Sequence, residues 1–360
     1  MNREKNTTKY VGMDVHRDCV SMMVLNEEGR QMSQCIVPTD GAVILEFIQG
    51  LRGSVQITFE ETTQSAWLYD LLQPHVSKVV VCNPRKNALL KAGNKNDKLD
   101  ALKLADLLRS KMLSPVYHGQ NSTRRLKELG RAYTVLTEDT TRVMTRLKAV
   151  YRGQALSTQG KAIYSQRRRE EWLQLLSDKD GLRQYAEYLF QELDGLRGIR
   201  RQARQSLVME SSKFKAVEML RSIPFLGPIR AALLIGVVQT PHRFRTKRQF
   251  WTYCGLGLET RSSADYRVVS GQIQRSKKQV LITGLNFHHN HQLKNIFKGA
   301  ATTASTRSGP LRDYYQGLIT KGIRPEMARL TLARKMATMA LILWKRGERF
   351  DPTELQPQAA

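Results

Sequence analysis

Cysteine is scarce in this chain, and the four present, Cys19, Cys35, Cys82 and Cys254, stand far apart with no C-x-x-C pair. That spacing excludes a zinc knuckle and a disulfide framework, and predicts reduced, mostly buried thiols. Long apolar runs are missing too, since none approaches the ~20 residues that a bilayer-spanning helix needs. The opening Met1-Asn2-Arg3-Glu4-Lys5 lacks the apolar segment of a secretory signal, so the expectation is a soluble, cytoplasmic protein with no membrane partner. Acidic residues run short toward the C-terminus: residues 261 to 350 carry 17 Lys and Arg against 4 Asp and Glu, whereas residues 1 to 110 carry 14 against 13.

What is plentiful is positive charge. The formal net charge is +26 over 360 residues, and the C-terminal third holds an outsized share of it. Such a surface attracts polyphosphate, because each phosphate neutralised releases condensed counterions. Nucleic acid is the partner this implies. The length also exceeds one ordinary domain, so at least two cores are expected.

Residues 9 to 25 (KYVGMDVHRDCVSMMVL) alternate well enough for a strand, and Glu27-Glu28-Gly29-Arg30 supplies a turn before a second apolar run, as in a β-hairpin. Helical spacing over 41 to 52, a strand from Val55 to Phe59, a helix from Trp67 to Leu72 and a buried strand from Lys78 to Cys82 follow. Strands then alternating helices and strands predict an α/β domain with a mixed sheet, assigned to residues 1–115. From Thr123 to about Lys213, Leu126, Leu129, Tyr133, Leu136, Val143 and Leu147, then Leu182, Tyr185, Leu189, Leu193 and Leu196, recur mostly at steps of three, four or seven. Two long helices in an antiparallel, coiled-coil hairpin are expected over residues 116–215, broken near Ser157 to Gly160 and at Gly181. This arm reads as a spacer or dimerisation element whose Arg167-Arg168-Arg169 and Arg200-Arg201 clusters suit backbone phosphates. Residues 216–350 read as a mainly helical unit interrupted by glycines at 255 to 257 and 270 to 271. It ends in a helix from about Arg324 to Lys345 whose core side is Met327, Leu330, Ala333 and Met336/Ala337, and a tail, 351–360, follows.

Four carboxylates suggest a metal site. In VGMDVH, alternation turns Gly12, Asp14 and His16 to one face and Val11, Met13 and Val15 to the other. An acid centred in a strand is costly to bury unless something binds it. VQITFE ends with Glu60, leaving Glu61 facing away, although Glu61 stays an alternative. In NKNDKLDALKLAD, Asp97 and Asp100 are three apart on one helix face and suit its first turn. Two strand acids plus a helix-borne pair make the oxygen-rich set that Mg²⁺ prefers, in the layout of RNase H-like nucleases, and such sites drive phosphoryl transfer. Asp18 and Asp106 read as structural acids, the latter about half a turn from Asp97. Taken singly, each of the four also fits a helix-end or turn-capping role.

In the basic third, IPFLGPIRAALL resembles the hairpin of a helix-hairpin-helix element, with Gly227 permitting the turn and Pro228 opening the next helix. That motif commonly has a second glycine where Phe225 stands. Basic residues then interleave with aromatics: Arg243, Arg245, Lys247 and Arg248 around Phe244, Phe250 and Trp251. The segment YCGLGLETRSSADY puts Ser262 and Ser263 on a loop between Arg261 and Arg267, where guanidinium groups would offset charge developing on a phosphodiester under attack. A solvated loop is the plainer account of that serine pair. Lys277, Lys278, Lys294 and Lys298 extend the expected nucleic-acid-binding face. His288, His289 and His291 lack a neighbouring acid or thiol in sequence and read as helix-surface residues or nucleic-acid contacts rather than metal ligands.

Together VGMDVH, FEETTQSAW, NKNDKLDALKLADLL, IPFLGPIRAALLIG, YCGLGLETRSSADY and GLNFHHNHQLKNIFKGAA resemble the insertion-sequence one-ten family of transposases, over about residues 9 to 345. The resemblance implies a RuvC-like N-terminal domain, a coiled-coil arm and a C-terminal transposase domain bearing a nucleophilic serine. It implies Asp14, Glu60, Asp97 and Asp100 as the metal-binding acids, Mg²⁺ as the cofactor, and DNA element ends and target as substrates. A structured guide RNA and a homo-oligomer, dimer or tetramer, in which acids of one subunit meet the serine of another, follow from it as well. The family's serine commonly precedes glycine; here Ala264 follows Ser263, which is favoured with Ser262 close behind. The competing functions are a metal-dependent resolvase or nuclease using water, and a non-enzymatic nucleic-acid-binding protein.

Overall fold

Alternation of inward and outward side chains along five strands organises the N-terminal part of the chain. The computed structural model describes residues 7–87, 97–118, 121–177, 181–261, 266–275 and 281–355. They fall into two units, Met1–Gly119 and Gln120–Ala360.

In the first unit β1 (Thr8–Val15), β2 (Cys19–Leu25) and β3 (Gln31–Pro38) run antiparallel, while β4 (Ser54–Glu60) and β5 (Lys78–Cys82) lie parallel to β1, in the order β3-β2-β1-β4-β5. The stretch 9–25, expected as one strand, is two. His16, Arg17 and Asp18 are exposed, and the chain reverses there with the His16 N–H donating to the Cys19 carbonyl at 2.9 Å. Helix α1 (Gly41–Gln49) starts where the Asp40 carboxylate accepts from the Ala42 and Val43 N–H groups, satisfying two otherwise orphaned donors. Helices α2 (Ser65–Leu72), α3 (Pro84–Asn87) and α4 (Asp97–Arg109) follow.

One sheet face buries Val11, Met13, Val20, Met22, Ile57 and Phe59 against Ile44 and Ile48 of α1 and Leu68 and Leu72 of α2. On the other, Met23 and Leu25 pack on Ala101 and Ala105 of α4. The unit is thus a mixed sheet between helical layers. Cys82 is buried, but Cys19 and Cys35 are only half-buried.

In the second unit α5 (Arg124–Gly153) and α7 (Leu182–Ser211) form an antiparallel helical hairpin, with α6 (Arg169–Leu173) in the connection between them. Val143, Leu147 and Tyr151 meet Ala186, Leu189, Phe190 and Leu193 at one end. At the other end Leu126 and Leu207 enter the main core of the C-terminal helices. Tyr185, a member of the apolar repeat, is 46% exposed.

Those helices are α8 (Ala216–Ser222), α9 (Pro228–Val238), α10 (Lys247–Tyr253), α11 (His291–Thr306), α12 (Pro310–Thr320) and α13 (Pro325–Arg346). The glycine-rich interruptions hold four short strands. β6 (Leu258–Arg261) pairs with β9 (Leu281–Leu285), and β7 (Tyr266–Val269) pairs with β8 (Gln272–Arg275). Ser270 (φ 52°) and Gly271 (φ 77°) both take positive φ, the requirement of a two-residue hairpin turn whose twist matches its strands. On α13 the core side is shifted from the expectation: Met327 is 44% exposed and Ala328 is buried beside Leu332, Ala333, Met336 and Ala337. Among the described residues no helix is long and apolar enough to cross a membrane.

Candidate carboxylate site and basic surfaces

Parallel pairing of β1 with β4 sets Val11 beside Ile57 and Met13 beside Phe59. One residue further on, Asp14 and Glu60 emerge at the carboxyl ends of neighbouring strands. Because Met13 and Phe59 face the α1/α2 core, strand alternation puts Asp14 and Glu60 on the opposite face, the one covered by α4.

Gly12 explains how α4 gets there. A Cβ on Gly12 would fall well under 3.0 Å from the Ala101 carbonyl oxygen and the Ala105 nitrogen, so the helix backbone rests directly on the strand. The far end of α4 fixes its direction. The Arg109 guanidinium donates to the Glu27 carbonyl at 3.4 Å, lies against Gly29 in the β2–β3 turn and holds Asp106 at 3.0 and 2.6 Å. The beginning of α4, with Asp97 and Asp100, therefore lies toward the carboxyl ends of β1 and β4. Asp14 stands two residues, roughly 7 Å, beyond Gly12, and Asp97 one helical turn, roughly 6 Å, beyond Ala101 in the same direction.

The Asp14 side chain is 19% exposed and pairs with His16 Nε2 at 3.2 Å. Directly across the strand pair lies Ser21, which is 2% exposed and whose hydroxyl has no hydrogen-bond partner among the described residues. Sequence patterning gives little notice of Ser21; its one signal is a lone hydroxyl among apolar residues in CVSMMVL. Glu60 and Asp100 are half-buried, whereas Glu61 is exposed and gives its N–H to the Cys82 carbonyl. Asp18 is exposed and lies 3.6 Å from the Arg17 guanidinium, and Asp106 serves the Arg109 clasp. The Asp97 side chain lies outside the described residues. Among those described, no three His, Cys, Asp or Glu side chains are gathered closely enough to hold an ion. The backbone thus assembles the edge, while the described carboxylates do not gather into a three-ligand cluster.

In the second unit, α8 and α9 flank the expected hairpin, and Pro228 opens α9 as anticipated. The turn's strain falls elsewhere than expected: Gly227 has an ordinary extended backbone (φ −61°, ψ 177°), and Phe225 takes the left-handed conformation at φ 67°. Its carbonyl accepts from Arg230 Nη1 at 2.8 Å. Burial lowers the pKa of Arg230 from its ordinary value.

The basic residues divide by surroundings. Arg243 turns inward, donating to the Val237 and Val238 carbonyls at the end of α9 while its guanidinium covers the Phe244 and Tyr253 rings at 5.4 and 5.0 Å. Arg245, Lys247 and Arg248 are exposed around the start of α10, where Thr246 and Gln249 form a capping box. On α11 Lys298 is exposed and Lys294 half-buried. Arg261 and Arg267 stand on β6 and β7 with side chains outside the described residues, as are Ser262, Ser263, Lys277 and Lys278 altogether. Gly255 faces the His289 ring, and Gly257 faces Thr252. The His289 and His291 rings lie with centroids 4.5 Å apart, tilted at 53° to each other, and His288 is exposed.

Two family models match the chain. A transposase model of the DEDD, IS110 type matches residues 11–153, and a model described as transposase, IS116/IS110/IS902 family, matches residues 217–316. A putative transposase, y4pF/y4sB, of Sinorhizobium fredii is 30% identical over 141 residues, 39% of this chain and 34% of that protein. An uncharacterized 44.8 kDa protein of insertion element IS116 from Streptomyces clavuligerus is 25% identical over 143 residues, 40% of this chain and 33% of its own length. The matched segment spans about a third of the length of these relatives. With two models in order along the sequence, the first over the first unit and on through α5, the second within the second unit, the chain belongs to the IS110 family of transposases.

Proposed function

We propose that the chain cuts and rejoins DNA strands at the ends of an insertion sequence, with a carboxylate-held metal in the first unit and a serine of the second as nucleophile. The observation that carries this reading is the seating of Ala101 on Gly12, which brings the beginning of α4 to the strand ends bearing Asp14 and Glu60.

Asp14, Glu60, Asp97 and Asp100 are the residues that would hold Mg²⁺. An all-carboxylate donor set suits a hard cation, and the Ser21 hydroxyl beside Asp14, partnerless among the described residues, suits a water in that cation's shell. When bound, the metal supplies charge neutralisation at the reacting phosphate. In the serine step, Oγ of Ser263, with Ser262 as the alternative, forms a bond to phosphorus as the bond to the 3′ oxygen breaks. The serine proton leaves with the 3′ hydroxyl, and the reverse step seals a second strand without an external energy source. Exposed Arg245, Lys247, Arg248 and Lys298 would grip phosphates, together with Arg261, Arg267, Lys277, Lys278 and Lys294, whereas Arg243 instead holds the end of α9. A structured guide RNA and a homo-oligomer, dimer or tetramer, complete the reading.

The test is strand exchange on a plasmid carrying element ends, read beside covalent protein–DNA adducts on denaturing gels. The expected result is loss of exchange in Asp14→Asn/Asp100→Asn and loss of both exchange and adduct in Ser262→Ala/Ser263→Ala. Cutting that needs the acids but survives the double serine change would favour the water-using nuclease. DNA binding without cutting by the parent would leave only a nucleic-acid-binding protein.

A further inference from the structure

The helical hairpin carries a basic groove distinct from both surfaces described above. Arg197, Arg200, Arg201 and Arg204 recur along α7 at steps of three and four, which places them on one side of the helix. Arg167, from the connection between α5 and α7, lines the same cleft. The cleft has a volume of about 1060 Å³, at or above the upper end of the roughly 300–1,000 Å³ range of small-molecule pockets. Asp194, the acid among its described lining residues, is already claimed by Arg169 at 2.5 Å and by Arg197 at 3.8 Å. Arg197 also donates to the Tyr164 carbonyl at 2.9 Å. Among the described residues, Arg167, Arg200, Arg201 and Arg204 have no such partner.

A surface ion-pair network would have matched these cations with acids, as the same helices do elsewhere: Arg142 meets Asp139, and Arg183 meets Glu187. Four guanidinium groups left unmatched around one cleft repel each other unless an anion of matching length lies between them. Arg200 and Arg204 are one turn apart, about 6 Å along the axis, a step comparable to that between successive phosphates of a nucleic-acid strand. Guanidinium forks bind such oxygens two at a time.

We infer that the groove between α7 and the Arg167 segment is a nucleic-acid backbone site, seating successive phosphodiesters on Arg167, Arg200, Arg201 and Arg204. The inference rests on nucleic acid being the partner in the proposed function, and it is independent of the carboxylate edge. DNA and RNA share the phosphate chemistry, so the two sources are separated by the probe.

The test measures binding of the full chain to a 30-base-pair DNA duplex and to a structured RNA hairpin as salt is raised, using fluorescence anisotropy. Each phosphate that the protein no longer neutralises should flatten the slope of log K against log salt by ~0.9 for duplex, or ~0.7 for single strands. Arg200→Ala/Arg204→Ala is expected to flatten it by nearly twice that amount for one probe, which identifies the occupant as DNA or RNA. Arg131→Ala/Arg146→Ala, which removes the same charge from exposed positions of α5 outside the groove, is the control. Unchanged slopes with both probes, or equal flattening by the control, overturn the inference. Because Asp14→Asn is expected to lose strand exchange and keep these slopes, failure of the groove and failure of the catalytic reading are distinguishable.

Discussion

The backbone of Ala101 occupies the space that a side chain on Gly12 would need. Neither the helix carbonyl nor the strand can swing aside as a flexible side chain would. Gly12→Ala is therefore expected to push α4 off β1 and destabilise the first unit by about 1–3 kcal/mol, toward the upper end. The same exchange at Gly195, inside α7 with nothing within 4 Å of its would-be Cβ, should stabilise by about 0.5–1 kcal/mol through helix propensity. Denaturant melts of the two variants should move in opposite directions; a parental midpoint for Gly12→Ala would refute the close seating.

Phe225 poses a contest between two effects of similar size. Its left-handed backbone costs an ordinary residue about 1–2 kcal/mol, while its ring, partly buried against the C-terminal core, returns something like 1–2 kcal/mol. Phe225→Gly should lose the ring and the strain together and come out near parental stability. Phe225→Ala loses the ring and keeps the strain. The expected order, with alanine below glycine by about 1 kcal/mol, reverses the helical preference. Equal melts for the two would show that the turn carries no strain.

The first unit is legible in the sequence because its strands obey period two and its apolar positions follow suit, as in VQITFE, whose end at Glu60 is the strand's end. Legibility fails where one short-range signal serves two outcomes. The alternation of 9–25 continues through a turn that His16-Arg17-Asp18 makes, and periodicity does not see a reversal whose flanks are both strands. The small strands β6 to β9 escape because each has only four or five residues, too few to establish a period beside longer helices. Gly255 and Gly257 suggest openings for a ligand, yet a glycine permits close approach by anything, here His289 and Thr252. Of the acids, strand register makes Asp14 and Glu60 visible as neighbours, whereas the direction of α4 depends on Arg109 reaching the Glu27 carbonyl 82 residues away, which no local pattern encodes.

The carboxylate edge makes a prediction that separates two buffers. With a chelator present, the half-buried Asp100 is no part of a converged cluster among the described residues, so Asp100→Asn should melt within about 0.5 kcal/mol of the parent. With Mg²⁺ at ten times its dissociation constant, the parent alone should rise, by about 1.4 kcal/mol from mass action. Thermal melts in the two buffers give the comparison. A magnesium-induced rise of the same size in the variant would remove Asp100 from the metal set.

His289 supplies a pH dependence in the second unit. Its ring lies against Gly255, Nδ1 donates to the Asn286 carbonyl at 2.5 Å, and Nε2 is buried without a partner among the described residues. Burial holds its pKa below the ordinary histidine value; Lys294 and His291 push the same way, and the backbone groups of Asn286 and Phe287 oppose them. Above the ordinary value of ~6.5 the imidazole is neutral in folded and unfolded chains alike, and its contribution is complete. As pH falls through that value the unfolded chain takes up a proton that the folded chain resists, so stability is lost until the folded pKa is passed. His289→Gln should abolish that loss. Melts at about pH 8 and about pH 5.5, spanning the ordinary histidine range, should show the parent falling relative to the variant. Parallel changes in the two proteins would mean that the ring is solvated and free to charge in the folded state.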